Sequence, residues 1–572
     1  MLITGTNTNP VAQAIGASAR RLLRVVVFSG LVNILTLSGS LYMLQVYDRV
    51  IPSKDSGTLA SLSLMVLAAY LLQGYLDALR SRMLGRIAAQ FDSELQAPVY
   101  AALAALPLTG AKPGEMQQPL RDLDQVRGFL AGAGPTAFLD MPWIPVFVIV
   151  LFMFHPLLGV TALVGAGAIV AMTLLAEASS AVRSKSTAVA VAQRQVLADA
   201  TRSNADVIRA LGMTARFGEI WRNLNERVLT ETLATAEVHA NLGACGKVLR
   251  YGLQSAMLGL GAYLVVNEQA TGGIMIASSI VMGRALAPIE VALGTWRQMS
   301  AARNGLKNLR KQLADYATPA VSRAVPHRPS QHLIVRNVTI STPDRQRPLV
   351  TGVTFRLDAG AGMAVIGASG SGKSTLLRGL TGVWPVVSGD VLLDGVQFGK
   401  FGSDGPGQYL GYLPQEVGLF DGAVWQNIAR FDPKARAEDI MEAAAIAGAH
   451  QMISGFASGY HTQIGQGGTA LSAGQRQRIG LARAIYGRPF LVVLDEPNAN
   501  LDAEGEAALI VAIETLKQRG SAVIVVSHRA SALQALDLVM VLAAGRMLTV
   551  GTRAQIEHAM TVQRSARTAT VN

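Results

Sequence analysis

The chain has 572 residues, half of them hydrophobic and only 15% charged, which is too apolar for an ordinary soluble enzyme unless the apolar residues are gathered into membrane spans. A formal charge of +12 admits either a nucleic-acid partner or basic loops held on one side of a membrane. The single cysteine, Cys245, excludes an intramolecular disulfide and a cysteine metal cluster, and reads as an inert small residue.

Residues 1–24 form an N-terminal segment containing Arg20, Arg21 and Arg24. Six segments of bilayer-spanning length follow within a membrane domain at 25–320, namely 25–46, 58–79, 137–154, 157–175, 248–266 and 272–289. The first is too long for a signal peptide and lacks small-residue cleavage chemistry, so it reads as a retained anchor. Only His155 and Pro156 separate the third from the fourth, which makes them a tight hairpin. Arg80, Arg82 and Arg86 follow the second span, and Arg183 and Lys185 the fourth. Lys247 and Arg250 precede the fifth, and Arg297, Arg303 and Lys307 follow the sixth. The opposite connections hold only Arg49 and Lys54, so the positive-inside rule places both termini in the cytoplasm and explains much of the charge without nucleic acid. The long connections 80–135 and 177–247 are helical in pattern and read as cytoplasmic extensions of the spans.

Two stretches here have competing readings. "DMPWIP", from Asp140, has the composition of a helix entrance, with Trp143 at the membrane interface and prolines in the first turn. Arg284, inside the sixth span, either snorkels toward the cytoplasmic edge or lines a polar pathway between helices.

A polar, proline-containing linker at 321–332 leads to a domain of short strands and helices at 333–560, and 561–572 is a loose basic tail. In "AVIGASGSGKSTLLRGL" a glycine-rich loop lies between an apolar strand and a helix. Gly367, Ala368, Ser369, Gly370, Ser371 and Gly372 would wrap a polyphosphate with backbone amides. Lys373 supplies charge to the β- and γ-phosphates, the Ser374 hydroxyl can ligate magnesium, and the helix through Thr375 adds its N-terminal dipole. "LVVLDEPNANLD" is a second buried strand ending in two carboxylates. Asp495 suits magnesium, and Glu496 is placed to take a proton from an attacking water. Together these motifs predict hydrolysis of a nucleotide with Mg2+.

"LSAGQRQRIGLARAIYGRP", from Leu471, resembles the signature of ABC transporter ATPases, with Ala473 in place of the usual glycine. "YLPQEVGLF" resembles the Q-loop through Gln415, "NLD" the D-loop through Asp502, and "VVSHR" the switch histidine through His528. The resemblance implies an α-helical membrane domain of six spans, of ABC exporter type, fused to an α/β P-loop ATPase. It also implies that the nucleotide is ATP, that Gln415 and His528 act beside Glu496, that Gln415 joins Ser374 and Asp495 at magnesium, and that Ser472, Gly474 and Gln475 cap the nucleotide of a second copy. One such site per chain implies a homodimer. Two departures stand out. Ile340 and Thr342 occupy the region where the family stacks adenine on a tyrosine, and Gln463 and Gln466 replace acidic residues ahead of the signature.

Within exporters, "YMLQVYDRVIPSKDSGTL", "LRDLDQVRGFL", "FLDMPWIPVFVIVLFMFHPLLG" and "GRALAPIE" are similar to type I secretion permease/ATPases of the PrtD-like protease-secretion group. "DEPNANLD" also resembles that group, whereas many lipid, drug and peptide exporters read close to "DEATSALD". The resemblance implies a bacterial inner-membrane translocase that exports a polypeptide with an uncleaved C-terminal signal. Its partners would be a periplasmic membrane-fusion adaptor and a TolC-like outer-membrane channel. About twenty residues precede the first span, so no N-terminal peptidase-like domain of the kind some relatives carry is expected. The alternative is a lipid or small-amphiphile exporter of the same architecture. A nucleotide-gated channel is disfavoured because such a gate could dispense with Glu496.

Overall fold

The computed structural model describes residues 9–111, 115–314, 327–344, 347–401, 407–527, 529 and 533–556, and for 173–185, 239, 242, 399 and 466 the backbone alone. His528, linker residues 321–326 and the tail 561–572 lie outside the described residues. The chain divides into two compact units, one of residues 1–107 and 111–317, the other of 108–110 and 318–572.

The first unit is helical: α1 (Pro10–Thr36), α2 (Ser38–Gln45), α3 (Ile51–Ser53), α4 (Ser56–Ala105), α5 (Gln118–Ala131), α6 (Gly134–Asp140), α7 (Ile144–Phe154), α8 (Pro156–Ser203), α9 (Ala205–Ala210), α10 (Thr214–Val266) and α11 (Gly272–Gln312). Helices α4, α8, α10 and α11 hold 50, 48, 53 and 41 residues. At about 1.5 Å per residue each is roughly 60–80 Å long, at least twice the ~30 Å hydrocarbon thickness, so each runs well beyond a bilayer. Among the described residues, Pro10–Ser53, Ser56–Thr109, Gly134–Phe154 and Gly272–Gln312 are long and apolar enough to cross a membrane, and the Pro156–Met172 stretch of α8 is apolar. The fifth expected span closes α10, where Arg250 and Gln254 thin the apolar run.

Among the described residues, two large apolar clusters and a small one of Val25 on α1 with Leu84 and Ile87 on α4 hold this unit together. Phe147 and Leu151 of α7 pack with Leu158 and Ile169 of α8, Met257 and Leu264 of α10, and Met282 and Leu286 of α11. A second cluster joins Val11 and Ala14 of α1, Phe91, Leu95 and Val99 of α4, Leu123 and Val126 of α5, and Leu309 and Leu313 at the end of α11. Between α10 and α11, Arg250 and Glu290 form a half-buried ion pair at 2.7 Å. The loop after the first span reaches α11 as well. Asp48 accepts the Gly273 amide at 2.8 Å and the Thr271 hydroxyl at 2.6 Å, capping the helix where a Cβ on Gly273 would meet the carboxylate at 2.6 Å.

Asp122 of α5 is 5% exposed against α11, and its main chain lies so near Gly305 that a Cβ there would fall 3.0 Å from its carbonyl oxygen. Burial pushes its carboxyl up to about 6 from the ordinary 3.8, against a hydrogen bond with Asn308 that favours the charged form. A raised folded-state pKa means stability that is present below the unfolded value and lost as pH rises through 6. Thermal unfolding of purified Asp122→Asn should match wild type near pH 4, gain over it as pH rises to about 6 and keep a constant advantage above that. Parallel pH profiles would remove Asp122 as the cause.

The second unit carries a ten-stranded sheet: β1 (His332–Ser341), β2 (Pro348–Asp358), β3 (Gly362–Ile366), β4 (Val386–Leu393), β5 (Val396–Gln397), β6 (Leu410–Leu413), β7 (Leu491–Asp495), β8 (Ala522–Val526), β9 (Leu538–Ala543) and β10 (Arg546–Thr552). The order is β5-β4-β1-β2-β10-β9-β3-β8-β7-β6. Strands β9, β3, β8, β7 and β6 run parallel. Strands β7 and β8 are buried along their whole length, as apolar runs in a doubly covered parallel sheet must be. The helices here are α12 (Lys373–Leu380), α13 (Val424–Ile428), α14 (Ala437–Ile446), α15 (His450–Ser454), α16 (Ala473–Ile485) and α17 (Ala503–Gln518). Val526 at the end of β8 pairs with Val365 of β3 on one side and Asp495 of β7 on the other. The phosphate-type loop and the carboxylate pair therefore leave the sheet at one edge, at the carboxyl ends of parallel strands where ligands of such sheets bind.

Candidate functional site

The loop after β3 has the backbone a phosphate cradle needs. Gly370 and Gly372 have φ of +77° and +99°, and a Cβ on Gly367 would sit 2.2 Å from the Leu542 carbonyl oxygen. Gly367→Ala must therefore shift the loop or β9, and titration with a fluorescent ATP analogue should show at least tenfold weaker binding. Wild-type affinity would show that the cradle tolerates the shift. Ala368, Ser369 and Gly370 are exposed at the tip, and Ser374 and Thr375 are half-buried in the first turn of α12. Lys373 is 6% exposed and donates to the Gly367 and Ala368 carbonyls at 2.9 and 3.0 Å. Its ammonium thus already lies inside the loop, and the buried Ser371 hydroxyl beside it has no hydrogen-bond partner.

Asp495 is 1% exposed and bonds the Ser374 side chain, while its Oδ1 is buried without a partner. Burial raises its pKa first and Glu496 adds to the rise, against the opposing pull of Ser374, Arg378 and Lys373. A buried carboxylate with an orphaned oxygen beside a hydroxyl fits a hard cation with oxygen ligands. Among the described residues no three His, Cys, Asp or Glu side chains cluster to hold a metal. The site therefore suits magnesium completed by substrate phosphates and water.

Glu496, just past the strand, has φ of +49°, and its amide donates to the Val526 carbonyl at 3.0 Å. Gln415, from the segment after β6, donates to the Glu496 carboxylate at 3.2 Å. These two expected neighbours are brought together. Behind Asp495 stand two residues that the sequence reading passed over. Arg378 of α12 bonds the Tyr412 hydroxyl and lies 5.0 Å from the Trp384 ring, and burial followed by the Asp495 charge raises the Tyr412 pKa. Arg378 lies on the helix just after the phosphate loop, which was the available signal.

The signature helix α16 opens on Ser472, whose hydroxyl accepts the Gln475 amide at 3.3 Å while Gln475 accepts the Ser472 amide at 2.9 Å. Among the described residues, no hydrogen bond or ion pair joins Ser472, Gly474 or Gln475 to residues 367–375 of the same chain. Instead α16 is fastened to the segment beyond Glu496. A Cβ on Gly474 would lie 2.9 Å from the Asn500 carbonyl oxygen, buried Gln477 donates to the Pro497 carbonyl at 3.0 Å, and Arg478 pairs with Asp502 at 2.8 Å. Asp502 also caps α17 by accepting the Gly505 amide at 2.8 Å, and that bond, with Arg478 beside it, lowers its pKa. Asn498 is 5% exposed and accepts from the Ser527 hydroxyl at 3.3 Å.

Ile340 is fully buried in β1 against Gly379, so it has no face for adenine. Thr342 accepts the Arg347 amide in the turn before β2 and donates to Asp344. Gln463 is exposed beside the Ala423 bridge. Arg284 is exposed on α11, about 18 Å from the helix start, past the middle of a ~30 Å hydrocarbon layer.

Comparison with known proteins matches residues 350–499 to the ABC transporter family and residues 22–286 to the ABC transporter transmembrane region. The chain is 44% identical over 552 residues to the type I secretion system ATP-binding protein PrsD of Rhizobium meliloti, covering 96% of this chain and 94% of that one. It is 28% identical to the cyclolysin secretion/processing ATP-binding protein CyaB of Bordetella pertussis, over 92% of this chain and 74% of that one. Among solved structures, a bacterial Atm1-family ABC exporter with ATP bound superposes with a TM-score of 0.80 at 20% identity, covering 96% and 98% of the two chains.

Proposed function

The chain belongs to the ABC transporter family, as a multi-pass membrane protein that couples ATP hydrolysis to transport, and from that premise we propose that it exports a polypeptide as the ABC component of a type I secretion system. The observation that carries the cargo reading is the 44% identity to a secretion ATP-binding protein over 96% of the chain, membrane half included. An ATPase match alone would say nothing of the load.

On this reading residues 367–375 cradle ATP, and Lys373 exchanges its two carbonyl contacts for the β- and γ-phosphates. Ser374, Asp495 and Gln415 would hold magnesium, which neutralises charge on the phosphates. Glu496 accepts the proton of the attacking water, held there by Gln415, with His528 as the second polar group at the γ-phosphate. Ser472, Gly474 and Gln475 act on the nucleotide of a second copy, with Asp502 fixing the segment between them and Glu496. Support for a homodimer comes from the lack of any bond between the α16 cap and the chain's own phosphate loop among the described residues. It comes also from Arg284, since a guanidinium exposed near mid-span is costly in lipid, by about 3 kcal/mol or more, and better faced by a partner helix or an aqueous path.

The remaining assignment is a bacterial inner membrane, with both termini and the ATPase domain cytoplasmic. A periplasmic adaptor and a TolC-like outer channel complete the route, and cargo carries an uncleaved C-terminal signal. The test compares culture supernatants of a strain lacking this chain, complemented with wild type or with Glu496→Gln. Wild type should restore specific polypeptides and the variant should not. Unchanged supernatants, together with ATP-dependent movement of labelled phospholipid in vesicles, would assign the lipid or small-amphiphile alternative.

A further inference from the structure

The third span enters through a break: α6 ends at Asp140, Met141–Trp143 form a 3-10 turn, and α7 starts at Ile144. Proline at 142 and 145 removes two amide donors and explains the break. It does not explain what fixes the direction in which the chain resumes. That role falls to a buried polar seat built by the first two spans. Arg80 of α4, 7% exposed, turns one terminal nitrogen, Nη1, to both oxygens of Asp140 at 2.8 and 2.9 Å and to the Ser29 hydroxyl of α1 at 3.0 Å. It also pairs with half-exposed Asp77, one turn back, at 2.8 Å. Asn33 of α1 donates to the same Asp140 carboxylate at 2.7 Å and to the Ser29 carbonyl at 2.8 Å. One turn of α1 also offers a steric socket, because the Trp143 ring lies where a Cβ on Gly30 would be, at 2.9 Å.

We infer that Arg80 is a positioning residue for transport: its two-oxygen grip on Asp140 sets how the broken entrance of the third span seats on the first and second. A buried ion pair is weak evidence for stability, since apolar residues of similar volume often serve the fold as well. Its distinct contribution is direction. The planar guanidinium turns one terminal nitrogen to Asp140 and Ser29 and the other to Asp77, so it fixes two carboxylates relative to one another, whereas a lysine ammonium is a point charge. Asp140 is also held from a second side by Asn33, which leaves the corner one orientation.

The inference rests on the export reading only for one of its readouts. Full-length protein in nanodiscs would be compared as wild type, Arg80→Gln, Arg80→Lys and the apolar pair Arg80→Met with Asp140→Leu. Hydrogen exchange of residues 134–146 is expected to be at least tenfold faster in Arg80→Gln and in the apolar pair, and intermediate in Arg80→Lys. Basal ATP hydrolysis should stay within twofold throughout. Polypeptide restored to deletion-strain supernatants should fall at least tenfold for Arg80→Gln and for the apolar pair. Should Arg80→Gln fail to fold, the apolar pair carries the test alone. Wild-type exchange and export by the apolar pair would reduce Arg80 to a packing element and overturn the proposal, as would wild-type values for Arg80→Lys. If wild type itself restores no polypeptide, the export reading fails, and the exchange data still decide the role of Arg80.

Discussion

Glu496→Gln is expected to lower ATP hydrolysis at least a hundredfold while the protein still binds ATP. The magnitude is that of losing a positioned general base, about 10²–10⁴ in rate. Position carries the argument more than composition does. Glu496 is the first residue beyond β7, and its φ of +49° ends the strand in the left-handed region, at a cost of about 1–2 kcal/mol for a residue with a Cβ. The Val526 carbonyl holds its amide at 3.0 Å and Gln415 meets its carboxylate at 3.2 Å. The left-handed turn separates it from buried Asp495, so two adjacent carboxyl groups occupy different environments and can take different tasks. Glutamine keeps the size and the contact with Gln415 but cannot accept the proton. Phosphate release and fluorescent-nucleotide titration on the same preparation check both halves of the expectation. Hydrolysis within threefold of wild type would remove Glu496 as the base.

The ATPase site was largely legible in the sequence because its parts are local. A glycine-rich loop must follow a strand and open a helix, and an acidic pair must end a buried strand, so spacing alone places Lys373, Ser374, Asp495 and Glu496. What joins them is not local. Val526 pairs with both Val365 and Asp495 because β8 lies between β3 and β7, an order that no spacing reveals. Pro497 and Asn498 entered only as marks of a family resemblance. Their physical role is to present a carbonyl to Gln477 and an amide oxygen to Ser527. Gln475, expected at a partner's nucleotide, is engaged in the cap of its own helix. In the membrane half the spans follow from hydropathy, but Arg80 counted only as a basic flank and Asp140 as part of a helix entrance. Their pairing crosses 60 residues and the bond from Asn33 to Asp140 crosses 107. A local pattern is blind to contacts at that distance.

Asp495→Asn is expected to do two opposite things: raise the thermal stability of the nucleotide-free protein and lower Mg-ATP hydrolysis at least a hundredfold. The side chain is 1% exposed, and burial raises its pKa, with Glu496 pushing the same way against Ser374, Arg378 and Lys373. For an acid whose folded-state pKa lies above its unfolded value, the favourable contribution is complete below the unfolded value and is lost as pH rises through the folded one. Ionising Asp495 therefore strains the empty domain. Its buried Oδ1 lacks a partner for the same reason that it would suit a cation. Asparagine removes the charge, so its stability advantage over wild type should be largest near neutral pH and shrink toward pH 4. Adding Mg-ATP should reverse the order, because binding to the folded state alone stabilises by RT ln(1 + [L]/Kd). Wild type then gains the stabilisation that the variant, without a charged ligand for the metal, largely forgoes. Scanning calorimetry with and without Mg-ATP, at several pH values, separates the two effects. Equal stabilisation of both proteins by Mg-ATP would show that Asp495 is not a metal ligand. A variant less stable than wild type when empty would show instead that its bonds to Ser374 and the nearby cations outweigh the burial of its charge.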